Sequence, residues 1–123
     1  MASKIPVPTE IAYHSQSKVL ELTFDDGKHF NLTAEFLRVY SPSAEVRGHS
    51  ADTAVLQMGK ADVEIKAIEP VGTYAVVLRF DDGHDTGIYS WEWLYYLGTQ
   101  QDTLWAEYLA QLAAAGGKRA PTH

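Results

Sequence analysis

Cysteine does not occur anywhere in the 123 residues. That absence removes disulfides, a thiolate nucleophile, an iron-sulfur cluster ligated by the chain's own thiolates and every cysteine-type zinc site. Also missing is any uncharged run approaching the ~20 residues of a membrane helix. The opening stretch MASKIPVPTEIAYH has no apolar stretch of the signal-peptide kind. The expectation is a cytoplasmic protein with no membrane partner. Positive charge is scarce as well: ten basic side chains against sixteen acidic ones leave a formal charge of −6. The average field therefore repels phosphate backbones and anionic lipid. The basic residues form no run longer than two, so nucleic acid is not expected as a partner.

What is present is an ordinary globular balance, with 46% apolar and 21% charged residues, enough for one domain with one core. Pro6 and Pro8 cannot donate to a ladder, so residues 1–8 read as an extended lead-in. Residues 9–115 read as a single domain, and 116–123 as a flexible tail beginning at Gly116 and Gly117. Ile11 and Tyr13 alternate with polar neighbours, and Leu20, Leu22 and Phe24 share one face at period two. Asp25-Asp26-Gly27 supplies a tight hairpin turn, and Phe30 and Leu32 lie on the return strand. Thr33 caps one short helical turn that ends before Pro42.

Residues 41–62 read as a long loop with one weak apolar element at Val55, Leu56 and Met58. Strands follow around Val63 and Ile65 and from Tyr74 to Phe80, the latter rich in branched and aromatic residues. Phe80-Asp81-Asp82-Gly83 repeats Phe24-Asp25-Asp26-Gly27 at an offset of 56 positions. Independent use of the same turn chemistry explains so short a match. Thr86 to Tyr89 is the return strand, and Ser90 caps a helix over Trp91–Leu97 with Gly98 as its terminator. Thr99, with Asp102 three residues on, caps a second helix whose Leu104, Trp105, Tyr108, Leu109 and Leu112 make one apolar stripe. The fold class is α+β: an antiparallel, hairpin-built sheet with the C-terminal helices packed on one face.

Candidate chemistry is thin. The pairs Asp25/Asp26 and Asp81/Asp82 would suit a hard cation or a shared proton. Adjacent side chains of extended backbone diverge, however, and turn chemistry accounts for both pairs. His49 and His84 lie in loops, yet no His-x-His or His-x-x-x-His spacing occurs. No nucleophile elbow or phosphate-binding glycine loop is present. No cofactor is expected. Trp91 and Trp93, two residues apart, cannot share one helix face, and an exposed tryptophan among tyrosines suits a protein-binding surface.

Leu37-Arg38-Val39-Tyr40-Ser41-Pro42-Ser43-Ala44-Glu45, together with Phe80-Asp81-Asp82-Gly83-His84-Asp85-Thr86-Gly87-Ile88-Tyr89-Ser90-Trp91, resembles the family of small domains named after the N-terminal domain of gamma-butyrobetaine hydroxylase. The resemblance runs from about Pro8 to Leu97. In the hydroxylases such a domain holds zinc through three cysteines and a histidine and precedes an iron- and 2-oxoglutarate-dependent catalytic domain. Here Ser41, Ser43 and Val46 stand where the cysteines would be and His84 matches the fourth ligand, so neither zinc nor hydroxylase activity is implied. Free-standing bacterial members are more similar, and related domains fused to Mrp/ApbC-type P-loop ATPases imply an accessory part in iron-sulfur cluster assembly, through a protein partner.

The resulting expectation is a non-catalytic accessory or protein-interaction domain, a monomer or weak homodimer. Its expected contact region is Arg38, Ser41, Ser43, Arg47, His49, His84, Trp91 and Trp93. The alternative is a metal- or small-molecule-binding domain using His49, His84 and Asp82 or Asp85.

Overall fold

A computed structural model describes residues 5–43 and 56–119. Among the described residues, six strands form two antiparallel three-stranded sheets, β1 (Pro8–His14), β2 (Val19–Phe24) and β3 (His29–Thr33) in one, β4 (Ile65–Val71), β5 (Ala75–Phe80) and β6 (Ile88–Ser90) in the other, each in sequence order. Helix α1 (Ala34–Val39) follows the first sheet; α2 (Trp91–Thr99) and α3 (Gln101–Ala115) follow the second. The α+β class is as expected, with the hairpins divided between two sheets. Pro70 lies in β4, a sheet edge, where its missing N–H costs no ladder bond.

The two sheets are built alike, and the likeness extends well past the repeated turn. Phe24 N–H donates to Lys28 O at 2.8 Å and Gly27 N–H to Phe24 O at 3.0 Å; Phe80 N–H donates to His84 O at 3.0 Å and Gly83 N–H to Phe80 O at 3.2 Å. Gly27 and Gly83 have φ of 87° and 91°, which only glycine adopts without strain. Each turn's first aspartate donates its N–H to the preceding strand segment, Asp25 to Val7 O and Asp81 to Glu64 O, both at 2.9 Å. Each third strand then runs into a helix capped by a hydroxyl, with Phe36 N–H donating to Thr33 Oγ1 at 3.1 Å and Trp93 N–H to Ser90 Oγ at 3.0 Å. A strand–strand–strand–capped-helix unit therefore occurs twice. Turn chemistry alone, the explanation favoured from sequence, does not produce that.

One core joins the two units. Leu20, Leu22 and Phe24 of β2 and Val76, Leu78 and Phe80 of β5 are buried in a single cluster with Leu37 of α1 and Leu94 and Leu97 of α2. Fully burying a leucine is worth roughly 2 kcal/mol, so these alternating positions dominate the stability. Tyr89 is fully buried and its hydroxyl donates to Leu37 O at 2.6 Å.

Two helix-end expectations change. Gly98 does not terminate α2: it lies inside the helix, where a Cβ would come within 2.5 Å of the Phe30 ring. It is small because β3 passes close by. Thr99 does not cap α3 either: the N-cap is Gln100, with no side-chain cap bond, and Thr99 Oγ1 donates back to Tyr96 O at 3.1 Å. On α3, Leu104, Tyr108 and Leu112 are buried, while Leu109, one position off that line, is exposed. Lys118 and Arg119, assigned from sequence to the tail, accept backbone bonds from Gly59 at 2.8 Å and Ala61 at 2.9 Å.

Candidate functional site

Every residue of α1 is buried, although the helix carries Glu35 and Arg38. A charge taken from water requires a partner, and each finds one far along the chain. Arg38 Nε donates to Asp82 Oδ2 at 2.9 Å, and Lys60 Nζ reaches the same oxygen at 2.8 Å. Asp82 Oδ1 accepts the His84 N–H at 3.1 Å, so the second turn is fixed by its own aspartate as well. Burial pushes the Asp82 carboxyl up, but the Lys60 hydrogen bond, the His84 amide and the two nearby cations outweigh it and hold the group below the usual carboxylate range. Arg38 Nη1 is buried with no hydrogen-bond partner among the described residues.

Past this ion pair lies a network of hydroxyls around a histidine. His84, 6% exposed, meets Ser41 Oγ through Nε2 at 2.8 Å, and Ser41 is fully buried. Ser41 Oγ also accepts the Ser43 N–H at 3.2 Å, and Ser43 Oγ meets Thr86 Oγ1 at 2.7 Å. The Ser41 hydroxyl can therefore bridge the Ser43 amide and the His84 ring. Gly87 lets the chain pass over this group, because a Cβ there would sit 2.5 Å from Ser41 Oγ. Serine beside histidine has the composition of an activated nucleophile. A fully buried hydroxyl cannot meet a substrate, however, and the pair's evident effect is to join the chain after α1 to the second turn.

Of the residues expected from sequence, Arg38, Ser41, Ser43 and His84 are brought together, but as interior groups rather than as an exposed contact surface. Arg47 and His49 lie outside the described residues. Asp85, expected as an alternative to Asp82 for a metal ligand, pairs with Arg79 Nη1 at 2.9 Å. Among the described residues, no group of three His, Cys, Asp or Glu side chains could hold a metal ion. Ser41, Ser43 and His84 also do not fit zinc: their oxygens and nitrogen are spent on one another and on Thr86, and hydroxyls are poor zinc ligands. Lys60 was not singled out in the sequence, where nothing ties it to a residue 22 positions away.

Trp91 and Trp93 are both half-buried and leave α2 in different directions. Trp91 Nε1–H donates to Thr73 O at 2.7 Å and Trp93 Nε1–H to Tyr40 O at 3.0 Å. Trp93 stacks on Tyr96, with ring centroids 5.4 Å apart and planes 27° apart. Their far side opens on a groove of about 370 Å³ lined by Ser90, Glu92, Trp93 and Tyr96. Tyr96, which is 44% exposed, was not among the expected site residues.

These features define a small α+β domain of two sheet-and-helix units, joined by a buried polar network and bearing an aromatic groove on its second helix. The family described as "Gamma-butyrobetaine hydroxylase-like, N-terminal" matches residues 11–95, and the chain belongs to it. Two proteins known from NMR solution structures are similar over almost their whole length. One has 49% identity and a TM-score of 0.85, covering 98% of this chain and 94% of its own. The other has 51% identity and a TM-score of 0.83, covering 100% and 92%. A crystal structure of a protein of unknown function of the DUF971 family, from Acidithiobacillus ferrooxidans, has 41% identity and a TM-score of 0.63 over 74% of this chain and 91% of that one. No curated protein matches the chain.

Proposed function

We propose that the domain is a non-catalytic accessory module that binds a partner protein through the face of α2 bearing Trp93 and Tyr96. The observation that carries this is the stacked Trp93–Tyr96 pair beside an open groove. Rigid aromatics lose little conformational freedom on binding and dominate the energetics of many interfaces. The residues with reactive groups support the surface from within: Trp93 is held by Tyr40 O, and Tyr40 adjoins Ser41 of the buried network. Trp91 leaves the helix in another direction, toward Thr73, and lies outside this face; Arg47 and His49 remain candidate contributors.

The resemblance drawn from the sequence gives the partner to try first, a P-loop ATPase of the Mrp/ApbC type acting in iron-sulfur cluster assembly. Without thiols of its own, the domain would serve such an enzyme by contact and not by holding the cluster. Titration calorimetry with that ATPase from the same genome tests the reading. Binding is expected for the native chain, with at least a tenfold loss for Tyr96→Ala, whose ring is exposed enough to spare the fold. Full affinity in Tyr96→Ala would exclude this face; no heat at all would exclude the partner.

A further inference from the structure

Glu35 is a second buried charge on α1, and it is answered by the chain's own C-terminal segment. Arg119 Nε donates to Glu35 Oε2 at 2.9 Å and Nη2 to Oε1 at 2.7 Å, a forked pair. The same guanidinium lies over Trp105 of α3, 5.3 Å from the ring centroid. The burial is lopsided: the Glu35 side chain is 7% exposed and that of Arg119 is 49% exposed. The carboxylate and the indole belong to the body of the domain, whereas the arginine is delivered by an end segment. A cavity of about 230 Å³ surrounds this contact, with Asp102 and Gln101 on its border.

A buried carboxylate opposite an aromatic face, with further acid nearby, is a receptor for a planar cation. We propose that Glu35 and Trp105 form a recognition site for the arginine side chain of a protein partner, and that Arg119 occupies this site from within the chain. Two backbone bonds, from Gly59 to Lys118 O and from Ala61 to Arg119 O, hold the segment in place. A tethered group acts at an effective concentration of the order of millimolar, so a lone external arginine competes poorly. A partner that brings additional contacts would displace it. The net charge of −6 favours the approach of a basic partner. Those backbone bonds also anchor the stretch containing Lys60, so displacing Arg119 would act on the Asp82 ion pair.

The site is separate from the Trp93–Tyr96 groove. It rests on the domain working by contact, but its test uses a small ligand and can fail independently. N-acetyl-arginine amide is titrated against the full chain and Arg119→Ala, following the Trp105 indole N–H by NMR. Arg119→Ala is expected to bind at least tenfold more tightly than the native chain, and Glu35→Gln/Arg119→Ala to lose that gain. Should Arg119→Ala not fold, Arg119→Lys replaces it, because a single ammonium is a weaker competitor than the fork and the gain should persist, though smaller. A folded Arg119 variant that binds no better than the native chain overturns the proposal, as does a gain that survives Glu35→Gln. Free L-arginine, whose charged α-ammonium and α-carboxylate must shed water to approach the site, is expected to bind more weakly than the amide, whose neutral ends match an arginine within a peptide; equal binding overturns the assignment to a protein partner.

Discussion

Arg38 and Tyr95 occupy matching places on the helices of the two units, 57 positions apart, and each fastens the turn of the opposite unit. Arg38 Nε donates to Asp82 Oδ2 at 2.9 Å, and the Tyr95 hydroxyl donates to Asp26 Oδ2 at 2.6 Å. The same aspartate of the same turn is used in both places, once by a cation and once by a phenol. The Tyr95 hydrogen bond, helped by the Lys28 amide, holds the exposed Asp26 carboxyl below its usual range.

Asp82 makes the first clasp sensitive to acid. Its carboxyl ionises more readily in the folded chain than the ~3.9 of an unfolded aspartate. The stabilisation is therefore complete above about pH 4 and is lost as pH falls through the lower folded value. Asp82→Asn should cost about 1–3 kcal/mol at pH 7, leaving Arg38 and Lys60 without their anion. The gap between the native chain and Asp82→Asn should close on acidification, as read by urea unfolding at a series of pH values.

Tyr108 makes the opposite prediction at high pH. Burial, then the negative charge of Glu35, pushes its phenol from 10.0 up to about 12. A raised folded value means that the neutral phenol stabilises the fold fully below pH 10 and that this contribution fades between 10 and 12. Ultraviolet titration should show Tyr108 among the late-ionising of the seven tyrosines, together with alkaline unfolding; the Asp26 hydrogen bond raises Tyr95 as well. Tyr108→Phe should remove one late step but lose the hydroxyl's 2.7 Å bond to Gln57 O.

Gly98→Ala sets helix propensity against packing. In an open helix the change would gain about 1 kcal/mol. Here the new methyl would meet the Phe30 ring, which is itself packed edge-on against Phe24 and Tyr95 and has little room to yield. A net loss of about 1–3 kcal/mol is expected from thermal unfolding. Stabilisation would mean that Phe30 moves aside.

Ser41 and His84 should behave as one unit. Replacing either by alanine leaves a buried polar partner unsatisfied, costing about 1–3 kcal/mol. A double-mutant cycle of Ser41→Ala and His84→Ala should show a coupling of about 0.5–3 kcal/mol in chemical unfolding. Purely additive losses would mean that the 2.8 Å contact carries no energy of its own.

The strands around Leu20, Leu22 and Phe24, both Asp-Asp-Gly turns and the Thr33 and Ser90 caps were legible because each is written within a few neighbouring residues. The Gly98 reading failed because the local signal competed with something distant, the Phe30 ring that fills the space beside it; the Thr99 reading failed because a second local bond, back to Tyr96 O, takes its hydroxyl. Arg38, Ser41, Ser43 and His84 were identified as a group only through the resemblance, since nothing local joins residues 43 positions apart. Glu35 lies in the short helical turn after Thr33 with no local sign of a special role. Its burial depends on Arg119, 84 positions away, a pairing that no period or motif announces.

Since each helix grips the opposite turn, neither unit carries all of its own fastenings. A single peptide-bond cut between residues 43 and 56 would leave two complementary pieces whose mutual affinity is supplied by the common core and the crossed Arg38 and Tyr95 clasps. Mixed in solution, such halves should find one another and rebuild the domain, and weakening either clasp would appear directly as a faster rate of their separation.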